Sequence, residues 1–301
     1  MDKSFFKHFL YSQKIAPYVF LLPFVITFCV FFIYPVFDTV MMSFQKVSAG
    51  GNTFRGLKNY RLLMNPIFFK ALGHSVFYTI VTLCLMIPIP MVLAALLDSR
   101  LMKAKTIFRG IMFIPALTSV VVAGTVFRLM FGELEGSFCN QVLAFFSYGP
   151  LVWLRKPVTV WIALFLLCLW RWTGVNMMYY LAGLQQIPRE LYESAEVDGA
   201  GPLSRFFRIT LPLLRPTTIY VLTISIYGGM AMFTESYILF NGNSSPNNVG
   251  LTVVGYLYRM GWEQNNIGLA SATSCILLFI VMTINVIQLA CNGTFRKGAD
   301  K

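Results

Sequence analysis

Residues 15–37 and residues 75–97 each run 23 positions without a single charged side chain. A helix crossing about 30 Å of hydrocarbon uses roughly 20 apolar residues, so either run is long enough to span a bilayer. The pattern recurs along the chain and predicts six spans, at 17–42, 72–97, 107–131, 158–182, 216–240 and 267–291. Composition agrees: 57% of the residues are hydrophobic and only 12% charged, against about 25% charge in a soluble domain. A soluble enzyme, a disordered regulator and a secreted disulfide scaffold are excluded. No alternating segments of about ten residues occur, which argues against a transmembrane barrel. The first apolar run is too long for a signal peptide, and no small-x-small cleavage site follows it. The expected fold class is all-α, a single polytopic membrane domain over residues 1–301 embedded in the lipid bilayer.

Basic residues set the orientation. With the N-terminus in the cytoplasm, fourteen Lys and Arg fall on inner segments and eight on outer ones, which puts both termini inside. The first outer loop, with five basic residues, runs against the trend. The net charge of +12 is scattered through the loops, as membrane topology requires, and no nucleic-acid partner is expected. Cys29, Cys84, Cys139, Cys168, Cys275 and Cys291 lack CxxC spacing, and most sit in apolar runs, so they read as buried small hydrophobes. His8 and His74 are too few and too far apart for a metal site. The segment GNTFRGLKN at 51–59 has the glycine spacing of a P-loop, but Leu57 and Asn59 break the required Gly-Lys-Ser/Thr ending.

The longest inner loop, residues 183–215, is too structured for a linker. Pro188 suits a first helical turn, residues 189–198 are good helix formers, and Gly199 stands where a helix end needs a left-handed residue. Gly201-Pro202 opens a second short helix, residues 203–209, and Pro212 starts the next span. On the first short helix Leu191, Ala195 and the ring of Tyr192 form a small apolar face, surrounded by Glu190, Glu193, Glu196 and Asp198. Such a helix can lie in a groove on a partner protein. Four acidic residues beside an anionic leaflet disfavour the alternative, a helix resting on lipid headgroups.

Charged groups inside a span are costly and mark functional positions. At 1.5 Å per residue, Arg171 lies about 20 Å from the outer end of span four. Arg128 and Glu235 lie about 5 and 8 Å from the outer ends of spans three and five by the same rise, and are expected to pair at an outer gate. Asp38 sits near the outer end of span one. Amide, hydroxyl, aromatic and small side chains near the midplane of a span can line a ligand site. The candidates at suitable depth are Arg171, Trp172, Gly174 and Asn176 in span four, and Tyr227, Gly228 and Ala231 in span five.

The run Glu193-Ser194-Ala195, three residues, Gly199, nine residues, Ile209-Thr210-Leu211-Pro212 resembles the "EAA" signature of binding-protein-dependent ABC importer permeases, with Ser194 replacing Ala. AGLQQIP at 182–188, DGAG at 198–201, YPVFDTVMMSF at 34–44, GLKNYRLLMNPIFFKAL at 56–72, FRGIMFIPALTS at 108–119 and WRWTGVNMMYYLAGL at 170–184 are similar to its sugar-permease branch, the maltose/raffinose-like first subunit. FNGNSSP at 240–246 departs from the Thr-x-Gly-Gly-Pro-like turn usual there. The resemblance implies a type I importer permease core of six helices in a bacterial plasma membrane. It implies a heteromeric complex with a second homologous permease, two cytosolic nucleotide-binding ATPase subunits and an extracytoplasmic solute-binding protein that delivers a saccharide. ATP and Mg would then sit on the partner subunits, and this chain would be neither an enzyme nor a cofactor carrier. Leu191, Tyr192, Glu193, Ala195, Asp198 and Gly199 would couple ATPase movement to the spans. Glycerol phosphate is the runner-up substrate, since Arg171 would suit a phosphate. A secondary carrier should show an internal repeat, and none is visible; an intramembrane enzyme should show a catalytic constellation, also not seen.

Overall fold

The structure is a computed structural model and describes residues 14–48, 50–99 and 102–293. Lys3, Lys7, His8, Arg100, Arg296, Lys297 and Lys301 lie outside them. Thirteen helices are used below: α1 (Ala16–Ser43), α2 (Lys58–Leu63), α3 (Pro66–Asp98), α4 (Lys105–Leu117), α5 (Val120–Met130), α6 (Phe138–Phe145), α7 (Pro157–Leu184), α8 (Arg189–Val197), α9 (Pro202–Leu213), α10 (Arg215–Met230), α11 (Thr234–Leu239), α12 (Val253–Tyr258) and α13 (Ile267–Cys291). Four of them, α1, α3, α7 and α13, are long and apolar enough to cross a membrane; the count reaches six if each bent pair, α4–α5 and α9–α10, is one span.

The chain divides into two compact units. The smaller holds α1, α2, the start of α13 and a two-stranded hairpin, β1 (Gln45–Lys46) and β2 (Thr53–Phe54), with Gln45 opposite Phe54. Buried Asn59 fixes its centre by donating to the carbonyls of Ser43 and Gln45, both at 2.8 Å. The most apolar stretch of α1 buries nothing within the chain.

The larger unit is built around α7. Val160, Ala163, Leu164 and Leu167, then Met177, Tyr180, Leu181 and Leu184, recur at three- and four-residue spacing and are buried. Two apolar clusters result. Tyr78, Phe127, Phe131 and Leu239 join the first half of α7; Met91, Leu97, Leu214 and Val221 join the second. In lipid, helices associate through close packing and small residues rather than water exclusion, and here they do so at glycines. A Cβ on Gly174 would lie 1.7 Å from the Met112 carbonyl oxygen of α4, and one on Gly229 would lie 2.7 Å from the Thr79 hydroxyl of α3. At the other end of α10, Arg215 donates to the Asn292 carbonyl at 2.9 Å.

The helices at spans one, four and six start and stop within two residues of the sequence reading, and the helix at span two starts six residues earlier, at Pro66. Spans three and five differ. The expected continuous helix at 107–131 breaks at Thr118 and Ser119, whose backbone is extended, and α4 and α5 meet at 94°. Pro115 in the last turn of α4 removes an amide donor there. The expected helix at 216–240 ends at Met230 and restarts at Thr234. Beyond it, the departed turn at 240–246 and the two residues after it use asparagine in left-handed backbone, with φ of +54° at Asn241 and +51° and +56° at Asn247 and Asn248, positions that asparagine tolerates better than most residues. Ser236 bonds the Gly250 carbonyl at 2.6 Å, and Arg259 bonds Asn248 and Asn243, which ties the loop down.

Candidate ligand cavity and docking loop

Three helices of the larger unit turn one face each toward a common space. Tyr78, Thr82 and Met86 of α3 are four residues apart, as are Cys168, Trp172 and Asn176 of α7; that spacing stacks side chains along one face of a helix. α10 adds Ile224, Ser225, Gly228 and Gly229, and the break after it adds Ala231 to Glu235. The space is about 200 Å³ and open on one side, below the roughly 300–1,000 Å³ of pockets that engulf drug-sized molecules. That volume is of the size of one small ring.

The break in span five makes the cavity asymmetric. Gly229 presses its backbone against Thr79, while a Cβ on Gly228 would meet nothing within 4 Å, so one glycine of the pair packs and its neighbour lines open space. Because the helix stops at Met230, Phe233 and Glu235 turn into the cavity instead of continuing up a straight helix. Buried Asn176 has no side-chain hydrogen bond to any described residue, and neither has Ser225. Both are open to a ligand. Tyr78 and Cys168 pack together in the same buried cluster.

Of the residues expected along a substrate path, Trp172, Asn176, Gly228 and Ala231 line this cavity. Arg171, Gly174 and Tyr227 do not. Arg171 turns the other way and donates to the Thr118 carbonyl at 2.8 Å, its guanidinium 5.4 Å from the Trp172 ring centroid. It thus satisfies a carbonyl freed by the break between α4 and α5. Gly174 is a helix crossing point, and the Tyr227 side chain is 64% exposed, away from the cavity. The α3 wall was missed, although Tyr78, Thr82 and Met86 stand in i, i+4, i+8 register in the sequence. Ser225 and Thr234 were missed because the helix break is not visible there.

The expected Arg128–Glu235 pair is absent: the ion pairs among the described residues are Arg155–Glu133 and Arg205–Glu196. Their helices do touch, since a Cβ on Gly124 would lie 2.8 Å from Ile238. However, the restart of α11 at Thr234 aims Glu235 at the cavity, and Arg128 stays in the last turn of α5, the favourable end for a cation.

In the loop after α7, α8 ends in a Schellman motif. Gly199 has φ +77°, its amide bonds the Glu196 carbonyl at 3.0 Å, and the Ala200 amide bonds the Ala195 carbonyl at 2.8 Å. The left-handed residue at this bend is the one the sequence marked. Glu196 and Arg205 join α8 to α9 at 2.9 Å. Tyr192 is not part of the outward face. Its hydroxyl lies 2.9 Å from the Thr210 hydroxyl and its ring packs on the cluster of Leu184, Ile187 and Leu214, so it roots the helix. Leu191 and Glu193 face out, Ala195 is half-buried, and Asp198 caps the helix end. The sequence reading missed the most exposed apolar groups, Val197 at 88% and Leu203 at 75%.

Residues 62–293 match the family model "Binding-protein-dependent transport system inner membrane component". The chain is 47% identical to the arabinooligosaccharides transport system permease protein AraP of Bacillus subtilis (strain 168), over 98% of this chain and 94% of that one. It is 31% identical to the lactose transport system permease protein LacF of Rhizobium radiobacter, over 90% and 92%. A crystal structure of a bacterial ABC transporter that imports the acidic polysaccharide alginate shares the fold, with a TM-score of 0.81 at 21% identity over 92% of this chain and 94% of that one. The chain is a multi-pass membrane protein and belongs to the family of inner-membrane permease components of binding-protein-dependent ABC importers.

Proposed function

We propose that this chain is the permease subunit of an ATP-driven importer that passes a saccharide delivered by an extracytoplasmic binding protein across a bacterial plasma membrane. The observation that carries the saccharide reading is the cavity wall, where the Trp172 ring stands one turn from the unbonded Asn176 amide. An aromatic face suits the C–H side of a sugar and an amide suits its hydroxyls. The relative named for arabinooligosaccharide transport, alike over nearly the whole chain, points the same way. A cavity that takes one ring leaves the rest of an oligosaccharide to a path shared with a second permease.

In this reading residues 183–215 face the cytoplasm, as do both termini, and the outward groups of α8 and α9 dock on one of two ATPase subunits that hold ATP and Mg. Arg171 does not line the cavity and spends one donor on the Thr118 carbonyl, which weakens the glycerol-phosphate alternative. The test is uptake into proteoliposomes that carry this chain, its partner permease, the ATPase subunits and the binding protein. Labelled arabinotriose should accumulate only with ATP and binding protein present. ATP-independent entry would refute the importer reading, and failure to carry any neutral oligosaccharide would refute the saccharide.

A further inference from the structure

We infer that the cavity admits neutral sugar rings and rejects acidic ones, and that Glu235 sets this selectivity. The inference rests on the saccharide reading and narrows it. Among the fifteen described residues that line the cavity, Glu235 alone is charged, and no Lys, Arg or His is present. Neither Arg128, which depth placed near it, nor Arg171, the other arginine within the spans, serves it as a partner. Arg171 is bonded to the Thr118 carbonyl and stacked over Trp172, and Arg128 makes no ion pair with Glu235. No described side chain donates a hydrogen bond to the Glu235 carboxylate.

A lone carboxylate in such a place has a definite chemical preference. Met86, Ile224, Met232 and Phe233 make much of the wall apolar, and like charges interact far more strongly there than in water. A uronate carboxylate or a phosphate entering the cavity meets Glu235 with no cation to offset it, and gives up its own hydration. Specificity built on such a repulsive group needs no extra contact to the accepted ligand. A neutral ring has hydroxyl donors for the carboxylate, and a charged acceptor makes that bond short and strong. The Asn176 amide and the Ser225 hydroxyl remain for its other hydroxyls.

Cys168 lies in the same cavity and reports on it directly. The purified importer complex is treated with neutral methyl methanethiosulfonate and with its anionic 2-sulfonatoethyl analogue. Modification is read by mass on the peptide that carries Cys168, and each rate is divided by the rate on a free thiol in solution. Clefts of one sign with apolar walls shift local ion concentrations by 10-fold or more, so the neutral reagent should be favoured by about tenfold. Glu235→Gln should bring the ratio close to one, and Glu235→Asp, which keeps the charge, should preserve it. Equal normalised rates in the parent complex, or a ratio unchanged in Glu235→Gln, would overturn the inference. Arabinotriose uptake by the same complex separates the two readings. Uptake with a flat reagent ratio removes the charge filter alone, and a charge-dependent ratio with no saccharide carried removes the saccharide alone.

Discussion

A methyl group at position 174 has nowhere to go. The atom it would meet is the Met112 backbone oxygen at 1.7 Å, and backbone in the middle of a crossing cannot swing aside as a side chain can. Gly174→Ala should therefore destabilise the folded chain by about 1–3 kcal/mol or more, the range for overpacking, seen as a lower melting midpoint of the purified complex. At Gly228 the space is open. Gly228→Ala should leave the melting midpoint nearly unchanged while its methyl, entering the cavity, lowers saccharide uptake. In the sequence these two glycines look alike, small residues at midplane depth in apolar helices. The distinction lies in which neighbour sits opposite, and Met112 is far away along the chain. Arg171 is a similar case. Its depth marked it as functional, and it is engaged, but with a backbone carbonyl that only a broken helix leaves free.

Some helix starts were legible because their chemistry is local: α7 opens one residue ahead of the expected 158, whereas α3 opens six ahead of the expected 72. Pro66 and Pro157 open α3 and α7, and Asn65 caps the former by accepting from the amides of Ile67 and Phe68 at 3.1 and 3.0 Å. The interior breaks were not. Nothing at Thr118-Ser119 marks a 94° turn, and the bend persists because Pro115 has already removed a donor and Arg171 reaches over to fill the Thr118 carbonyl. Replacing Arg171 with Leu should leave that carbonyl unsatisfied, at a cost of about 1–3 kcal/mol. Hydrogen exchange should speed up in residues 115–122 before it does so in α7. Unchanged exchange across that segment would mean that the arginine does not hold the break. The root of α8 is lighter. Tyr192→Phe removes only the bond to the Thr210 hydroxyl, so about 0.5–1.5 kcal/mol is expected, with the ring still packed on Leu184 and Leu214.

At the scale of the whole molecule, the proposed function has the energy for transport arrive from partner ATPase subunits. On that proposal the purified chain by itself should hydrolyse no ATP, and hydrolysis by the isolated chain would refute it. In the proposed complex, the part of the chain that meets the motor is the bend between α8 and α9. It was legible because a helix end at a glycine is set by local sequence, whereas the exposure of Val197 and Leu203 depends on how Tyr192 draws the other face inward. Gly199→Val tests this bend cleanly. A Cβ there meets nothing within 4 Å, so crowding is not the issue; φ of +77° is. A β-branched residue resists that conformation by on the order of 1 kcal/mol or more, and relaxing it would unmake both hydrogen bonds that close the Schellman turn. The cavity residues and the α7 packing are untouched, so the variant should still insert and assemble. Ligand-loaded binding protein should no longer stimulate ATP hydrolysis, and uptake should fall with it. The measurement is stimulated ATPase in the reconstituted complex at matched subunit levels, with Gly199→Ala as an intermediate step. Full stimulation with Val at 199 would show that motion passes to the spans by some route other than this bend.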